Sequence, residues 1–344
     1  MSQTKKALIV SPYLDHLGGG ERYMLSLASV LESLGHAIYF AWDNLEEINQ
    51  LSTMLGIELQ NPQLDPTVKN LYFSHNPLSM YRSTRPYDVV VYLSDGSIPL
   101  LSGKHNLLHM QVPFHGVRGK SWQNQLKKRL ISSVIVNSHF TKQVIDTEFG
   151  INSTVLYPPV APLKPGQKEN LILSVGRFEP SLNTKHQDVL IEAWRTLSPQ
   201  LPGWKLVLAG ASSSEDWVAK LRQLAADLPI QFEVNAPHAM LCDLYARSRL
   251  YWHAAGYGVD ESKNPELTEH FGISTVEAIS AGCIPLVVPA GGQKEIVQDP
   301  SLHWTTIEEL ITKTIWLSQN PQNIALDISP YSAENFTEQL KKLL

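Results

Sequence analysis

The sequence predicts an α/β protein built from two doubly wound, parallel-sheet halves, and three observations lead to this prediction. The chain has 344 residues, about twice the usual length of one domain, and 43% of them are hydrophobic while 18% are charged. Short β-branched runs alternate with segments of helical period, a rhythm typical of parallel sheets covered by helices. A proline-rich segment at 157–166 separates the two halves.

Each half contains apolar runs that are bounded by turn residues and are therefore predicted to be strands. They lie at Ala7–Ser11, Ile38–Ala41, Asp88–Leu93, Asn106–Met110 and Val134–Asn137 in the first half, and at Leu171–Val175, Lys205–Ala209, Gln231–Val234, Leu250–Trp252 and Ile284–Val288 in the second. Helices are predicted in the second half at Gln187–Thr196, Glu215–Ala226, Ser274–Ala281 and Thr306–Ser318.

The proline-rich segment sets the domain limits. It holds four prolines between Tyr157 and Gly166, which neither a helix nor a central strand accepts. We therefore predict Rossmann-like domains at residues 1–160 and 161–327 that face a cleft between them, because ligands bind at the carboxyl ends of strands in open α/β sheets. Residues 328–344 carry Phe336, Leu340 and Leu343 on one helical stripe, which predicts a helix that returns to the amino-terminal domain.

Composition excludes several classes of protein. The formal net charge of −5 argues against general affinity for nucleic acid. No apolar run is long enough to span a bilayer, so we expect a soluble protein. With two cysteines, Cys242 and Cys283, neither a disulfide framework nor a thiolate metal site is expected, and a reducing cytoplasm fits best.

A glycine run, Gly18-Gly19-Gly20, follows the first predicted strand and opens a helix. Glycines let backbone N–H groups approach an anion closely, and the helix start adds a favourable dipole. A dinucleotide fingerprint would need a third glycine at position 23, where Tyr23 stands, and this weakens the case for an NAD-dependent oxidoreductase. The alternative interpretation of the run is a tight strand-to-helix turn.

Two cations border a strand end in the second half. Gly176-Arg177 follows the strand Leu171–Val175, and Lys185 precedes the next helix. An arginine that binds in bidentate fashion and a lysine that acts as a point charge can clamp a diphosphate. The alternative is that both side chains are merely solvated.

Two glutamates, Glu269 and Glu277, flank Gly272. We expect Gly272 to end a loop, so that Glu269 lies in the loop and Glu277 one turn inside the following helix. The exposed N–H groups of the helix start can then bind phosphate, while Glu277 accepts hydrogen bonds from ribose hydroxyls. Since Ser274-x-x-Glu277 also matches a capping box, a purely structural role for Glu277 is the alternative.

Four motifs, taken in order, resemble retaining family 4 glycosyltransferases of the GT-B fold, and the likeness covers nearly the whole chain. The segment Trp252–Val297 is most similar to bacterial relatives of the mannosyltransferases that elongate dolichol-linked oligosaccharides. The motifs are Asn137-Ser138 with Tyr157-Pro158-Pro159-Val160, Gly176-Arg177 with Lys185, Glu269 and Glu277 within Glu-His-Phe-Gly-Ile-Ser, and Gly291-Gly292-x-x-Glu295-Ile296-Val297.

The resemblance implies transfer of a hexose, foremost mannose from GDP-mannose, to a saccharide or lipid-linked acceptor with retention of configuration. It implies no cofactor and no metal, and no two aspartates stand two apart in this sequence. It places Arg177 and Lys185 on the donor diphosphate, Glu277 on the ribose, Glu269 by the transferred sugar, the amides of Gly272 and Ile273 on phosphate, and Gly19 and Gly20 over the donor.

Three alternatives to this function stay open. A UDP-sugar, such as UDP-glucose or UDP-N-acetylglucosamine, is the alternative donor for the same chemistry. An NAD-dependent oxidoreductase and a non-catalytic GT-B partner subunit are alternatives from other classes. A partner subunit is expected to have lost Arg177, Lys185 or one of the two glutamates, and all four are present.

One part of the family pattern departs from its usual form. Many relatives have a histidine just before a proline after a strand of the amino-terminal domain, whereas this chain has His109-Met110-Gln111-Val112-Pro113-Phe114-His115. We predict that His109 contacts the donor sugar, with Gln111 and His115 as alternatives. A histidine that only makes a structural hydrogen bond at a strand end is the further alternative.

Between Gly96 and Ile145 the chain has no acidic residue but seven basic ones. An amphipathic segment at 121–131 with Trp122 and Leu126 lies within this stretch. Residues 104–142 are therefore predicted to contact an anionic membrane or a lipid-diphosphate acceptor, peripherally on the inner membrane face. Ordinary packing of the helix on the sheet is the alternative. The basic residues are Lys104, Arg118, Lys120, Lys127, Lys128, Arg129 and Lys142.

Overall fold

The computed structural model describes residues 4–14, 18–74, 76–180, 185–212, 215–320 and 324–344. The chain divides into two compact units. Unit 1 comprises the residues up to Pro159 together with Ala333–Leu344, and unit 2 comprises Val160–Ser332. The sequence predicts the corresponding limits after residue 160 and after residue 327, within about five residues of those in the structure. Each unit has its own parallel sheet, which confirms the predicted α/β class with two Rossmann-like domains.

The strands of unit 1 form one parallel sheet. They are β1 Lys5–Val10, β2 His36–Phe40, β3 Gln63–Leu64, β4 Val89–Leu93, β5 His105–Met110, β6 Ser133–Val136 and β7 Thr154–Val155. Their order is β3-β2-β1-β4-β5-β6-β7. The central strand β4 has the sequence Val-Val-Val-Tyr-Leu and is buried along its whole length, as expected for a parallel strand covered on both faces.

The helices of unit 1 that precede the linker follow local sequence signals. Asn44 accepts a hydrogen bond from the amide of Glu46 at the start of α2, and Ser138 accepts one from Thr141 at the start of α6. Gly150 ends α6 in the left-handed conformation. The helices are α1 Gly19–Ser33, α2 Leu45–Leu55, α3 Pro66–Ser74, α4 Pro77–Thr84, α5 Trp122–Lys127 and α6 His139–Phe149.

Unit 2 repeats this architecture on a smaller sheet. The strands are β8 Glu169–Val175, β9 Lys205–Gly210, β10 Ile230–Val234, β11 Ser248–His253 and β12 Ile284–Val287, in the order β10-β9-β8-β11-β12. The helices are α7 Gln187–Leu197, α8 Glu215–Leu224, α9 His238–Arg247, α10 Ile273–Ser280, α11 Gln293–Ile296 and α12 Ile307–Gln319. Among the helices in the described part of the chain, none combines the length and apolar character needed to cross a bilayer.

The predicted strands are confirmed, with ends that shift by a residue or two. The edge strands β3 and β7 are not among the predictions, because two residues are too few to produce a recognisable periodicity. Thr306, predicted as the first residue of a helix, is instead the N-cap of α12 and accepts a hydrogen bond from the amide of Glu309.

The last helix, α13 Ala333–Lys341, packs into the core of unit 1. Phe336 and Leu340 are buried there, and the ring of Phe336 meets the ring of Tyr23 edge-on at a centroid distance of 5.6 Å. The carboxyl-terminal segment is therefore part of the hydrophobic core that covers one face of the unit 1 sheet.

We expect Phe336→Ala to destabilise unit 1 by about 3–5 kcal/mol, because removal of the ring leaves a cavity in the core of this unit. Hydrogen–deuterium exchange of the full chain measures this, with faster exchange expected in β1, β2 and β4. Phe178→Ala is the matched control, since Phe178 is fully buried in unit 2 and the same truncation there should leave unit 1 unchanged. Faster exchange confined to unit 2 in the Phe336 variant would contradict this account of α13.

Candidate functional site

Three neighbouring strands of unit 2 bring together the residues that the sequence singles out. β8, β11 and β12 are adjacent and parallel, so the segments that follow them leave the sheet at the same edge. Gly176-Arg177 follows β8, His253 ends β11, and Gly291-Gly292 lies in the loop after β12. Since ligands of open α/β sheets bind at this edge, it is the candidate site of unit 2.

The carboxylate of Glu269 is the centre of the candidate site. Its Oε2 atom lies 2.7 Å from Nζ of Lys185 and 2.9 Å from Nε2 of His253. Both charged side chains are largely buried, with exposed fractions of 13% for Glu269 and 16% for Lys185. The structure thus joins two residues that the sequence predicted for the site, and it adds a histidine that the sequence analysis missed.

The surroundings of Glu269 keep it ionised. Burial raises the pKa of the Glu269 carboxyl, but the Lys185 ammonium and the His253 ring outweigh burial and hold this pKa well below its usual range. Burial lowers the pKa of His253, an effect that the hydrogen bond to Glu269 opposes and the charge of Lys185 adds to. At neutral pH Glu269 is therefore a carboxylate and His253 a neutral imidazole.

The loop after β12 fixes the backbone of Glu269. The amide of Gly292 donates to the carbonyl oxygen of Glu269 at 2.7 Å. Gly291 has a φ of +62°, and a Cβ atom there would lie 2.1 Å from the same oxygen. Any side chain at position 291 would therefore displace the Glu269 backbone, which explains the glycine pair in this motif.

Gly272 is the N-cap of α10, and no side chain caps this helix start. A capping box at Ser274 was the alternative role for Glu277, and it is wrong: Ser274 lies inside the helix, and its hydroxyl accepts a hydrogen bond from Tyr251 at 2.8 Å. The amide of Thr275 donates to the Gly272 carbonyl at 3.0 Å. The amide of Ile273, the first of the helix, has no acceptor within it and is suited to hold an anion.

Glu277 lies one turn inside α10, as predicted, and is nearly buried. The hydroxyl of Tyr245 donates to its Oε2 atom at 3.0 Å. Tyr245 was not predicted as part of the site; it comes from α9 and holds the orientation of the Glu277 carboxylate.

Arg177 and Lys185 occupy different surroundings. The guanidinium of Arg177 is exposed, while its carbonyl accepts a hydrogen bond from the buried side chain of Gln187 at 2.9 Å. The stem of Lys185 lies over Gly176, where a Cβ atom would come within 2.6 Å of its Cγ atom. Of the two predicted diphosphate ligands, Lys185 thus pairs with Glu269 in this structure, and Arg177 is exposed among the described residues.

The glycine run of unit 1 opens a helix as predicted, since Gly18 is the N-cap and Gly19 the first residue of α1. The side-chain amide of Gln111 lies against the run: a Cβ atom at Gly20 would come within 2.6 Å of it. Glycine is therefore needed at position 20 to leave room for Gln111, whether or not the amides of the run bind an anion.

His109 does not fit the role predicted for it. Its ring is fully buried, stacks on the ring of Tyr23 at a centroid distance of 4.0 Å, and has Nδ1 3.3 Å from the carbonyl oxygen of Ile135. Burial lowers the pKa of His109 to about 3. The structural alternative accounts for these contacts, because a ring with no exposed surface has none to offer to a sugar.

The other two candidates in this stretch differ in position. Gln111 lies at the glycine run, whereas His115 is half-exposed and pairs with Glu148 at 3.0 Å. Gln111 is thus the candidate of the three that lies beside the predicted anion-binding turn.

Position along the chain could have identified the missed residues. His253 stands at the carboxyl end of β11. Residues at the carboxyl ends of strands line the ligand site of an open α/β sheet, which is the argument that pointed to Arg177 after β8. Gln293, which donates to the Thr275 hydroxyl at 3.0 Å and fills the space over Gly272, directly follows the predicted glycine pair. The described residues contain no cluster of histidine, cysteine and carboxylate side chains that could hold a metal.

Two Rossmann-like units, with an ion-paired glutamate and an uncapped helix start at the strand ends of the second, are the architecture of the GT-B class of glycosyltransferases. The chain belongs to the glycosyl transferases group 1 family, whose model matches residues 161–344, more than half of its length. A second model, Glycosyltransferase Family 4, matches residues 17–162.

Curated relatives are 30–33% identical to this chain in alignments that cover about half of its length. A GDP-Man:Man(3)GlcNAc(2)-PP-Dol alpha-1,2-mannosyltransferase of Dictyostelium discoideum is 30% identical over 203 residues, 51% of this chain and 38% of the relative. The enzyme of the same name from Homo sapiens is 33% identical over 186 residues, 47% and 35% of the two chains. The alignments thus span little more than a third of the length of these relatives.

Solved structures show the same fold. A glycosyltransferase from Rickettsia africae ESF-5 aligns with a TM-score of 0.70 at 19% identity, over 99% of this chain and 98% of that chain. A sucrose-phosphate synthase from Thermosynechococcus elongatus aligns with a TM-score of 0.66 at 15% identity, over 98% of both chains. At these identities the likeness describes architecture.

We expect Gly291→Ala to destabilise unit 2 by more than the cost of placing an alanine at a positive φ, because the added methyl group collides with the Glu269 carbonyl. Gly203→Ala is the matched control: Gly203 has a φ of +83° but open space around its Cβ position. The control should lose about 1 kcal/mol and Gly291→Ala clearly more, measured by urea unfolding. Equal losses would mean that the close approach at Glu269 carries no energetic weight.

Proposed function

We propose that this chain transfers mannose from GDP-mannose to a lipid-linked or saccharide acceptor, with retention of configuration. The observation that carries the proposal is the Lys185–Glu269–His253 cluster at the strand ends of unit 2, next in sequence to the uncapped start of α10. The names of the curated relatives support GDP-mannose as donor and a dolichol-linked saccharide as the class of acceptor.

The donor diphosphate is assigned to the exposed guanidinium of Arg177 and to the first-turn amides at Gly272 and Ile273. A guanidinium binds two phosphate oxygens at once, and helix-start amides add a favourable dipole. Glu277, oriented by Tyr245, is assigned to the ribose hydroxyls. Lys185 is assigned to the bridge between sugar and diphosphate, since its pairing with Glu269 holds the ammonium beside the sugar position.

In the proposed reaction the bond between the anomeric carbon and the diphosphate breaks. The acceptor oxygen forms its bond to that carbon on the same face, and its proton passes to the departing phosphate oxygen. The negative charge that grows on the diphosphate is the part of this reaction that protein groups can stabilise. Arg177 and Lys185 stabilise this charge, and Glu269 accepts hydrogen bonds from hydroxyls of the transferred sugar. No cofactor takes part.

Two alternatives from other classes have less support. Position 23, where a dinucleotide-binding turn needs glycine, holds the buried Tyr23, whose ring packs on His109 and Phe336. An oxidoreductase is therefore disfavoured. A non-catalytic partner subunit has no need for a buried ion pair at its strand ends, and an unused buried pair costs desolvation energy.

The donor is tested by thermal unfolding of the chain with GDP, UDP, ADP or NAD. A nucleotide at a hundred times its dissociation constant stabilises by about 2.7 kcal/mol, and we expect this for GDP. Stabilisation by UDP instead of GDP would assign the alternative donor, and stabilisation by NAD alone would overturn the proposed function.

Transfer is tested with labelled GDP-mannose and a lipid extract, with the product anomer read by nuclear magnetic resonance. Glu269→Gln keeps the side-chain volume and should retain GDP binding while transfer falls about a hundredfold or more. Arg177→Ala should weaken GDP binding and transfer together. Lys313→Ala, a lysine on α12 that donates to the His303 carbonyl, is the control and should change neither. An inverted product would contradict retention.

We also propose that unit 1 contacts an anionic membrane through residues 104–142, on the inner membrane face. The helix α5 buries none of its residues, and 71% of Trp122 and 50% of Leu126 are exposed. The alternative of ordinary packing on the sheet would have buried both side chains. An exposed tryptophan beside leucine is typical of a helix that lies in a membrane interface.

The basic residues of this stretch fall into two groups. Lys104 and Lys142 form ion pairs with aspartates, and Lys128 donates to the Gly150 carbonyl. Four others lie in α5 or within four residues of it in the sequence, and they make no ion pair to any residue that the structure describes. Each such residue near an anionic surface contributes about 1 kcal/mol. They are Arg118, Lys120, Lys127 and Arg129.

We expect the chain to sediment with vesicles that contain phosphatidylglycerol and not with pure phosphatidylcholine, and to be released by high salt. Trp122→Ser should weaken binding because it removes the inserted ring. Trp316→Ser is the matched control, since Trp316 is 50% exposed on α12 of unit 2. Salt-insensitive sedimentation, or equal effects of the two variants, would discard this surface.

A further inference from the structure

Glu269 meets both of its partners through one oxygen. Lys185 and His253 contact Oε2, and Oε1 has no hydrogen bond to any residue in the described ranges. A carboxylate has about four acceptor positions on two oxygens. The arrangement therefore uses one oxygen to anchor the side chain and keeps the other for a hydroxyl donor.

His253 is the better anchored of the two partners. It ends β11, where it pairs with Val287 of β12, and its side chain is only 3% exposed. Lys185 is a point charge on a flexible four-carbon stem, so it attracts the carboxylate without fixing its rotation. A ring held at a strand end defines the position of its N–H group and so can fix that rotation.

The ring proton of His253 must lie on Nε2. Burial keeps the imidazole neutral, so it has a single N–H group. A carboxylate oxygen can only accept, and Glu269 Oε2 is 2.9 Å from Nε2. Nδ1 is buried, and the structure gives it no hydrogen-bond partner among the described residues. The Glu269 carboxylate is thus the acceptor for the one proton that this ring can donate.

A second buried side chain packs against the ring. Gln293 is fully buried, its Nε2 atom lies 3.4 Å from Nε2 of His253, and it donates to the hydroxyl of Thr275 in the first turn of α10. Gly272 leaves room for this amide, because a Cβ atom there would come within 2.6 Å of it. His253 is therefore enclosed by packing and does not reach solvent or substrate.

We propose that His253 is a positioning residue for Glu269. Its ring N–H donates a hydrogen bond to Oε2, and this contact directs Oε1 toward the hydroxyls of the transferred sugar. This inference rests on the proposed function of Glu269 as the residue that contacts the sugar. It predicts that His253 affects recognition of the sugar part of the donor and leaves recognition of the nucleotide part unchanged.

Binding of GDP and of GDP-mannose, measured by calorimetric titration, separates the two parts without requiring turnover. The GDP dissociation constant divided by the GDP-mannose dissociation constant reports the contribution of the sugar. His253→Leu should lower this ratio about tenfold and lower kcat to a similar extent, with the GDP constant unchanged. His303→Leu is the matched control: it removes another unit 2 imidazole, one that contacts the Val297 carbonyl and not Glu269.

Two polar variants keep the test decisive if the leucine variant does not fold. His253→Gln places an amide N–H near the original Nε2 position and should restore most of the ratio and of kcat. His253→Asn has a shorter side chain, whose N–H falls near the Nδ1 position, and should stay impaired. Equal behaviour of these two variants, or a ratio unchanged in His253→Leu, would overturn the proposal.

The outcome also separates this inference from the function on which it rests. If the wild-type chain binds neither GDP nor GDP-mannose, the proposed donor is wrong. If it binds both with a sugar-dependent difference that His253→Leu preserves, the donor stands and the positioning role falls. A loss of GDP affinity equal to the loss of GDP-mannose affinity would assign His253 to the general architecture of unit 2.

Discussion

A carboxylate can be buried only where other groups compensate its charge, and the site of unit 2 is arranged around this constraint at Glu269. Removing an ion from water costs several kcal/mol, which a single contact seldom offsets. Here compensation comes from two chain segments: Lys185 follows β8 in the sequence, and His253 ends β11. The strand order β8-β11-β12 makes this convergence achievable, since the ends of adjacent parallel strands open on one edge.

The glycines of the site provide space as well as backbone freedom. Position 176 admits the Lys185 stem, position 272 admits the Gln293 amide, and position 291 admits the Glu269 carbonyl. Gly203 and Gly258 have φ values of +83° and +71°, close to the +62° of Gly291, but nothing lies within 4 Å of their Cβ positions. Glycines of the same conformation thus serve as ordinary turns elsewhere in unit 2. At the site they allow backbone and side chains to approach more closely than any other residue would permit.

Features that depend on short stretches of chain could be predicted from the sequence. Strand periodicity, the helix that Gly18-Gly19-Gly20 opens, and the loop that Gly272 ends are all properties of a few neighbouring residues. The ion pair between Lys185 and Glu269 joins residues 84 positions apart, and the sequence could place both at one edge without revealing that they touch. His253 escaped prediction for the same reason: its role comes from its neighbours in space.

The choice among His109, Gln111 and His115 shows where periodicity stops being informative. His109 and Gln111 are two residues apart along one strand direction and so point to the same side, toward α1. The partners they meet on α1 are three residues apart, Tyr23 and Gly20 respectively. Tyr23 covers the first position completely, whereas Gly20 leaves the second beside the helix start. The deciding fact is the size of the residue on the facing helix, which the strand pattern does not contain.

The pairing of Lys185 with Glu269 has a consequence for how a donor would be recognised. A diphosphate that draws the ammonium toward itself removes the main counter-charge of Glu269 and leaves His253 as its hydrogen-bond donor. The carboxylate then lacks compensation unless sugar hydroxyls supply new hydrogen bonds, which are stronger than usual when the acceptor is charged. A nucleotide alone would carry this cost in full, while a nucleotide sugar would offset it. Coupling of this kind favours the complete donor over the spent nucleotide through the same buried charge that organises the site.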